Sequence, residues 1–358
     1  MKFSENQKKV ISGVVGDVIA GKSQTSIGGL AGTGKTTCVN YILQKLEDKI
    51  KYVVLTPTGK AANVLRNKGV PANTIHSAIY NYKGKREDDE GKEHMIWKKK
   101  HAVIKKPRVM FIDEASMVNT KMFYDILQFG IQVVWIGDYG QLAPIGGDPG
   151  IMKSPRWLLT DIFRQGSDSG IVNFAHDVRA DTIGMNYNNV EFSTVAPEYL
   201  VQEGNYDQII CGFNWTRRNL NSKIRANKKY KHLIEEGERL ICVHNNKKAN
   251  IFNGQQVLVK KLLSETDWRW KAIVETEMEG EREIWLNKQG FGAEKYDSEN
   301  LHEEEILVDY GYVITCHKSQ GSEWNNVLVI NEQTKNWDHK RWLYTAATRA
   351  KNNLTLAL

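Results

Sequence analysis

Short runs of β-branched and aromatic residues punctuate the first half of the chain. Lys51-Tyr52-Val53-Val54-Leu55, Val109-Met110-Phe111-Ile112 and Val133-Val134-Trp135-Ile136 are continuous in hydrophobicity, not alternating. Strands buried on both faces read this way, so these runs predict βαβ units around a parallel sheet. A further strand is expected over 25–28 and a helix over 37–46. A polar stretch at roughly 81–107 interrupts the alternation. Its centre, Gly84-Lys85-Arg86-Glu87-Asp88-Asp89-Glu90-Gly91, is a poor core former flanked by Tyr80, Tyr82 and Trp97. A hairpin protruding from the first domain is predicted there.

A second α/β region starts near 160. Ile209-Ile210-Cys211 and Val327-Leu328-Val329-Ile330 read as its core strands. Between them the period changes. From Gly254 onward short alternating strands appear, Gln256-Val257-Leu258-Val259 and Trp270-Lys271-Ala272-Ile273-Val274. A small β-barrel inserted at about 245–308 is expected, with Trp268, Trp270 and Trp285 packing it. The fold class is therefore α/β, with domains at 1–160 and 161–358. A length of 358 residues supports two domains at roughly 100–200 residues each.

Composition narrows the class. A hydrophobic share of 41% and a charged share of 25% are ordinary for a soluble globular protein. No apolar run is long enough for a membrane helix, and the first residues lack a signal-peptide core, so a cytoplasmic location is expected. Cys38, Cys211, Cys242 and Cys316 form no CxxC pair, which argues against a zinc site or a redox dithiol. The net charge of +7 permits a polyanionic partner. Residues 81–108 carry ten Lys and Arg against five Asp and Glu; residues 217–231 carry seven Lys and Arg and no acid. Such runs are commonly just solvated faces.

The chemistry is concentrated in two segments. Gly29-Leu30-Ala31-Gly32-Thr33-Gly34-Lys35-Thr36 fits GxxxxGK[ST], between an expected strand and an expected helix. Its glycines let backbone N–H groups turn onto phosphate oxygens, and the helix start adds its positive dipole end. Lys35 is expected to reach the β- and γ-phosphates of ATP, and Thr36 to hold Mg²⁺. Val109-Met110-Phe111-Ile112-Asp113-Glu114 ends an apolar strand in two acids, at the edge where α/β ligands bind. Asp113 is expected to hold Mg²⁺, and Glu114 to orient and deprotonate the attacking water.

Taken together, the ordered motifs resemble those of superfamily 1 helicases, of the RecD/Dda-like branch that moves 5′ to 3′. Asn6-Gln7 resembles the nucleobase-reading glutamine; Leu55-Thr56-Pro57-Thr58-Gly59-Lys60 and Asn73-Thr74-Ile75-His76-Ser77 resemble the first two strand-contacting motifs. Gly137-Asp138-Tyr139-Gly140-Gln141-Leu142-Ala143-Pro144 resembles motif III, with Ala143 where the family often has proline. Ile162-Phe163-Arg164-Gln165, Thr315-Cys316-His317-Lys318-Ser319-Gln320-Gly321-Ser322-Glu323 and Tyr344-Thr345-Ala346-Ala347-Thr348-Arg349 resemble motifs IV, V and VI. Phe252-Asn253-Gly254-Gln255 resembles the lead into an SH3-like insert.

The resemblance implies two RecA-like P-loop domains, a pin-like insertion in the first and an SH3-like barrel in the second. It implies ATP and Mg²⁺ as cofactors, with Gln7, Gly29, Gly32, Thr33, Gly34, Lys35, Thr36 and Thr37 around the nucleotide. Gln141 is implied as a γ-phosphate sensor, and Arg164 and Arg349 as arginine fingers. Single-stranded DNA at a fork is the implied partner, contacted by Thr58, Lys60, Thr74, His76, Gln320, Ser322 and Glu323. His76 reads equally as a core histidine, and Trp324 as either a stacking or a packing residue. A monomer acting in replication, repair or recombination, alongside proteins of those processes, is expected. Two other classes compete: a small-molecule P-loop NTPase, and a DNA-bound scaffold without hydrolysis.

Overall fold

The computed structural model describes residues 2–87, 93–162, 170–184, 186–246, 249–276, 280–292 and 305–358. Arg164 and the tip of the expected pin lie outside the described residues. Two compact units emerge, Met1–Arg179 and Ala180–Leu358. The division falls later in the chain than residue 160.

In the first unit the elements follow as α1 (Glu5–Ile19), β1 (Gln24–Gly29), α2 (Lys35–Leu46), β2 (Tyr52–Thr56), α3 (Gly59–Asn67), β3 (Ala72–Thr74), α4 (Ile75–Ile79), β4 (Tyr80–Glu87), β5 (Glu93–Lys99), β6 (Val109–Ile112), α5 (Thr120–Leu127), β7 (Gln132–Gly137), β8 (Trp157–Leu159) and α6 (Gly170–Ala180). A six-stranded sheet runs β3-β2-β6-β7-β1-β8, and every pairing in it is parallel. The continuous apolar strands explain why. Val54, Val109, Phe111, Val134 and Ile136 point into one core with α1, α2 and α3. Their neighbours Val53, Leu55, Met110, Ile112, Val133 and Trp135 point into another with α4 and α5. Period-two alternation thus feeds two cores, so both kinds of position must be apolar.

The 81–107 stretch contains a hairpin. β4 and β5 pair antiparallel from Tyr80↔Lys99 to Glu87↔Glu93, with a register shift between Tyr82 and Gly84. Its root is aromatic. Trp97 lies 5.2 Å from the His76 ring and 5.4 Å edge-on from Tyr82, and the Tyr80 hydroxyl donates to Asp125 at 2.5 Å.

The second unit contains β9 (Val190–Ser193), α7 (Pro197–Glu203), β10 (Gln208–Cys211), α8 (Asn214–Asn227), β11 (Arg239–Cys242), β12 (Gln256–Glu265), β13 (Arg269–Thr276), β14 (Gly280–Asn287), β15 (Glu305–Tyr310), β16 (Val313–Thr315), α9 (Cys316–Ser319), β17 (Trp324–Ile330), α10 (His339–Ala347) and β18 (Ala350–Ala357). A parallel sheet runs β16-β10-β17-β18-β9. Strands β11 to β15 form a closed barrel, sealed by a parallel pairing of β14 with β15. Its first strand begins at Arg239, ahead of the expected 245, because β15 needs β11 as its antiparallel neighbour to close the ring.

Two expectations about this unit are corrected. Only Trp270 of the three tryptophans packs the barrel core. Trp268 sits in the β12–β13 turn and is 68% exposed. Trp285 stands opposite Lys271 on the outer face, with the Arg269 guanidinium 4.5 Å from its ring centre. The basic run 217–231 is not wholly a solvated face either. Arg217 is buried against Asp309 at 2.6 Å. Arg225 grips both oxygens of buried Glu238 at 3.1 and 3.2 Å.

Candidate functional site

All the chemistry-bearing segments of the first unit leave the carboxyl edge of its parallel sheet, where strand ends and helix starts form the binding crevice of α/β folds. The order β3-β2-β6-β7-β1 sorts them. The glycine-rich loop follows β1, Asp138 follows β7, and Asp113 and Glu114 follow β6. Thr58 follows β2, and Thr74 ends β3. With strands about 4.8 Å apart, Thr74 stands roughly 19 Å along the sheet from the loop. One edge therefore holds a phosphate end and, several strands away, the strand-contacting candidates.

In the loop, Gly32 and Gly34 have φ of 82° and 77°, a conformation that glycine adopts without strain. A Cβ on Gly29 would lie 2.5 Å from Thr33 Oγ1, so that position must stay bare. Gly34 caps α2 with no side-chain acceptor, which leaves the helix's first N–H groups for an anion. Lys35 Nζ donates to the carbonyls of Gly29 at 2.8 Å and Leu30 at 2.9 Å, and lies 3.7 Å from Asp138 Oδ2. Thr36 and Thr37, half-buried, follow on the first turn of α2. Gln7 is buried and exchanges capping bonds with Ser4 at the start of α1. Its Nε2 donates to the carbonyl of Thr33 at 3.5 Å. The glutamine therefore braces the loop as well as lying beside it.

Asp113 and Glu114 are half-buried at the end of β6. Burial pushes the Asp113 carboxyl above its ordinary pKa, opposed by the Glu114 N–H and by Lys35. Glu114 adopts φ 54°, ψ 41°, a left-handed conformation costing a non-glycine residue about 1–2 kcal/mol. Such strain is retained where the backbone must aim a side chain.

Sequence reasoning missed Asp138. It is 1% exposed, accepts from Gly140 N at 2.8 Å and faces Lys35. An acid directly after an apolar strand was the signal in the sequence. Gln141 is 6% exposed, and its Oε1 has no hydrogen-bond partner. Among the described residues no cluster of His, Cys, Asp and Glu is built for a metal by protein groups alone.

The strand-contacting candidates divide. Thr58 and Thr74 cap α3 and α4, accepting from Ala61 N and Ser77 N. Lys60 is 5% exposed. His76 is half-buried between Tyr80 and Trp97, and desolvation lowers its pKa, so the ring favours the neutral form. In the second unit, Arg349 is 5% exposed and fully engaged. It donates to the carbonyls of Thr345 at 2.9 Å and Ser322 at 3.1 Å, and to Thr348 Oγ1 at 3.0 Å. Thus the two last motifs are stitched together. Ser322 is buried and its hydroxyl has no partner. Gln320 is half-buried. Glu323 is exposed at a pocket of about 300 Å³, shared with Asp207, Arg239, Gln256, Trp324 and Lys351.

Comparison with known proteins adds a family context. The profile of the family described as AAA domain matches residues 2–193, and that of the UvrD-like helicase C-terminal domain matches 310–357. The chain is 24% identical to the ATP-dependent RecD2 DNA helicase of Deinococcus radiodurans, over 98% of this chain and 48% of that protein. It is 28% identical to the ATP-dependent DNA helicase dda of Enterobacteria phage T4, over 49% of this chain and 42% of that protein. The chain thus spans half or less of the length of these relatives. Among solved structures, Bacteroides Pif1 bound to ssDNA matches with a TM-score of 0.64 at 19% identity, covering 100% of this chain and 92% of that one. Pif1 helicase from Candida albicans matches with 0.59 at 17% identity, covering 100% and 94%.

Proposed function

Because the chain belongs to the AAA-domain family, we propose that it is an ATP-dependent DNA helicase of the superfamily 1 branch with RecD, Dda and Pif1, moving 5′ to 3′ on a single strand. The observation that carries this reading is the shared carboxyl edge of the first sheet. Lys35, Asp138, and Asp113 with Glu114 follow the adjacent strands β1, β7 and β6, while Thr58 follows β2 and Thr74 ends β3.

Phosphoryl transfer is served by positioning and charge neutralisation more than by covalent help. The loop N–H groups and Lys35 bind and neutralise the β- and γ-phosphates. Glu114 orients a water for in-line attack and takes its proton; the unpartnered Gln141 Oε1 is available to accept from that water, and the amide Nε2 is the group that can donate to the γ-phosphate. Thr36 and Asp113 offer hard oxygen donors, and a carboxylate disfavoured by burial is suited to a cation; these residues fit Mg²⁺, which supplies charge neutralisation at the phosphates. Arg349, and Arg164 outside the described residues, are assigned the finger role by the family pattern. Strand contact is assigned to Thr58, Lys60, Thr74, His76, Gln320, Ser322 and Glu323. A monomer working at a DNA fork, alongside replication or recombination proteins, completes the proposal. Among the described residues no helix is long and apolar enough to cross a membrane.

An ATP-dependent strand-separation assay tests it. Duplexes with a 5′ single-stranded tail should be unwound, and blunt or 3′-tailed ones should not. Efficient unwinding from a 3′ tail alone overturns the direction, and ATP turnover indifferent to any single strand overturns the motor.

A further inference from the structure

Strand order in the second unit marks a ligand crevice independently of any motif. From β10 the chain leaves for β16 on one side; from β17 it leaves for β18 on the other. The order reverses between β10 and β17, and α/β ligands bind outside the carboxyl ends of strands at such a point. The two loops bordering it are 212–214 and 331–338.

Those loops, with the starts of helices α8 and α10 that follow them, carry a stack of aromatic rings. Trp342 is fully buried at the base, parallel to Trp337 within 11° at 5.9 Å. Trp337 meets Phe213 at 5.0 Å. Phe213 stacks on Trp215 at 6.3 Å and 20°. The indole nitrogens of Trp337 and Trp342 have no hydrogen-bond partner, so face contacts hold the rings. A Cβ on Gly212 would come within 2.7 Å of the Trp337 ring, so glycine lets the stack close. The outermost ring, Trp215, is 65% exposed.

What the stack ends on decides the ligand. Helix α8 starts here, and a carboxylate already stands at the amides leading into it. Glu332 accepts from Gly212 N at 2.6 Å, from Phe213 N at 3.1 Å and from the Thr216 hydroxyl. A phosphate would meet that carboxylate, so the crevice offers a π-face and not an anion hole. Thr315, which opens the segment holding Gln320 and Ser322, is level with Cys211 on the neighbouring strand. The aromatic stack and that segment thus both leave the same carboxyl edge of the second sheet.

We infer that Trp215 is a stacking platform for one unpaired nucleobase of the single strand, with Phe213, Trp337 and Trp342 backing it. This rests on the proposed function and adds a base-contacting residue outside the family motifs. Base–aromatic stacking is sequence-tolerant because every base has a π-face.

The test is equilibrium binding of labelled oligo-dT, and of an abasic strand of equal length, to the full chain and to Trp215→Ala and Trp215→Phe. Trp215→Ala should bind oligo-dT on the order of tenfold more weakly, with an unchanged salt slope because no phosphate contact is lost. Trp215→Phe should stay within about threefold of the parent, since a ring still stacks. The abasic strand should bind parent and Trp215→Ala alike. Equal oligo-dT affinity for parent and Trp215→Ala, or an equal loss on the abasic strand, overturns the platform and leaves the helicase reading standing. A parent chain that binds no single strand overturns both.

Discussion

The ammonium of Lys35 lies 3.7 Å from the buried carboxylate of Asp138. The pair joins the loop after β1 to the end of β7, its neighbour in the sheet. Asp138 also holds its own turn through Gly140 N, which an asparagine Oδ1 can still do. Asp138→Asn should therefore fold normally but lose the countercharge that places Lys35. ATP turnover should fall about tenfold with nucleotide KM changing less than about threefold. Lys35→Ala should abolish turnover. Steady-state kinetics of both variants check this, and parental turnover by Asp138→Asn would remove the positioning role.

Arg349 has structural duties beside the finger role proposed for it. Its truncation to alanine would strand the Ser322 carbonyl in a buried setting, a cost of about 1–3 kcal/mol, while the Thr345 carbonyl keeps the Thr348 hydroxyl. Arg349→Lys keeps the charge but not the fork. We expect it to retain nucleotide affinity and lose most of the maximal rate, because a finger acts on the transition state. Thermal melting beside kinetics separates the two duties: a folded Arg349→Lys variant with full kcat would exclude the finger.

The hairpin root makes a separable test of strand splitting. Trp97 is wedged between His76 and Tyr82, so it couples the β4–β5 ribbon to a strand-contacting candidate. Replacing residues 84–93 with a short Gly-Ser turn should leave DNA-stimulated ATPase largely intact and impair unwinding. Trp97→Ala should do the same more weakly, by loosening the ribbon's angle. Both activities are measured on one preparation. A parallel loss of ATPase would assign the ribbon to the fold instead.

Asp17 gives a pH-dependent stability term. Burial alone would raise its pKa, but bonds from Lys22, Trp157, Thr25 and Arg156 outweigh this and hold the carboxyl well below the usual carboxylate range. Its contribution is then complete above the unfolded value, near pH 4, and is lost as pH falls toward the folded one. Asp17→Asn should lower Tm at pH 7, and the deficit should shrink by pH 3. A deficit independent of pH would mean that packing, not charge, is at stake.

Much of this was legible in the chain. Continuous apolar runs marked the parallel strands, because residues such as Val53 and Val54 feed opposite cores. The glycine-rich loop and Asp113-Glu114 were legible because their chemistry is local. Strands of three or four residues, β3, β8 and β9, carried too few positions to show a period. The Lys35–Asp138 pairing and the Trp215 stack depend on which loops the sheet order brings together, and no window of sequence contains that order.

The buried Arg217–Asp309 pair joins helix α8 of the second sheet to the last barrel strand. Replacing Asp309 with alanine would strip Arg217 of its counterion and leave a desolvated guanidinium, a penalty of about 3–5 kcal/mol. The barrel is thus no detachable cassette. A graft or deletion that treats it as one must also replace Arg217, and homologues that lack the insert should have dispensed with that cation in the same evolutionary step.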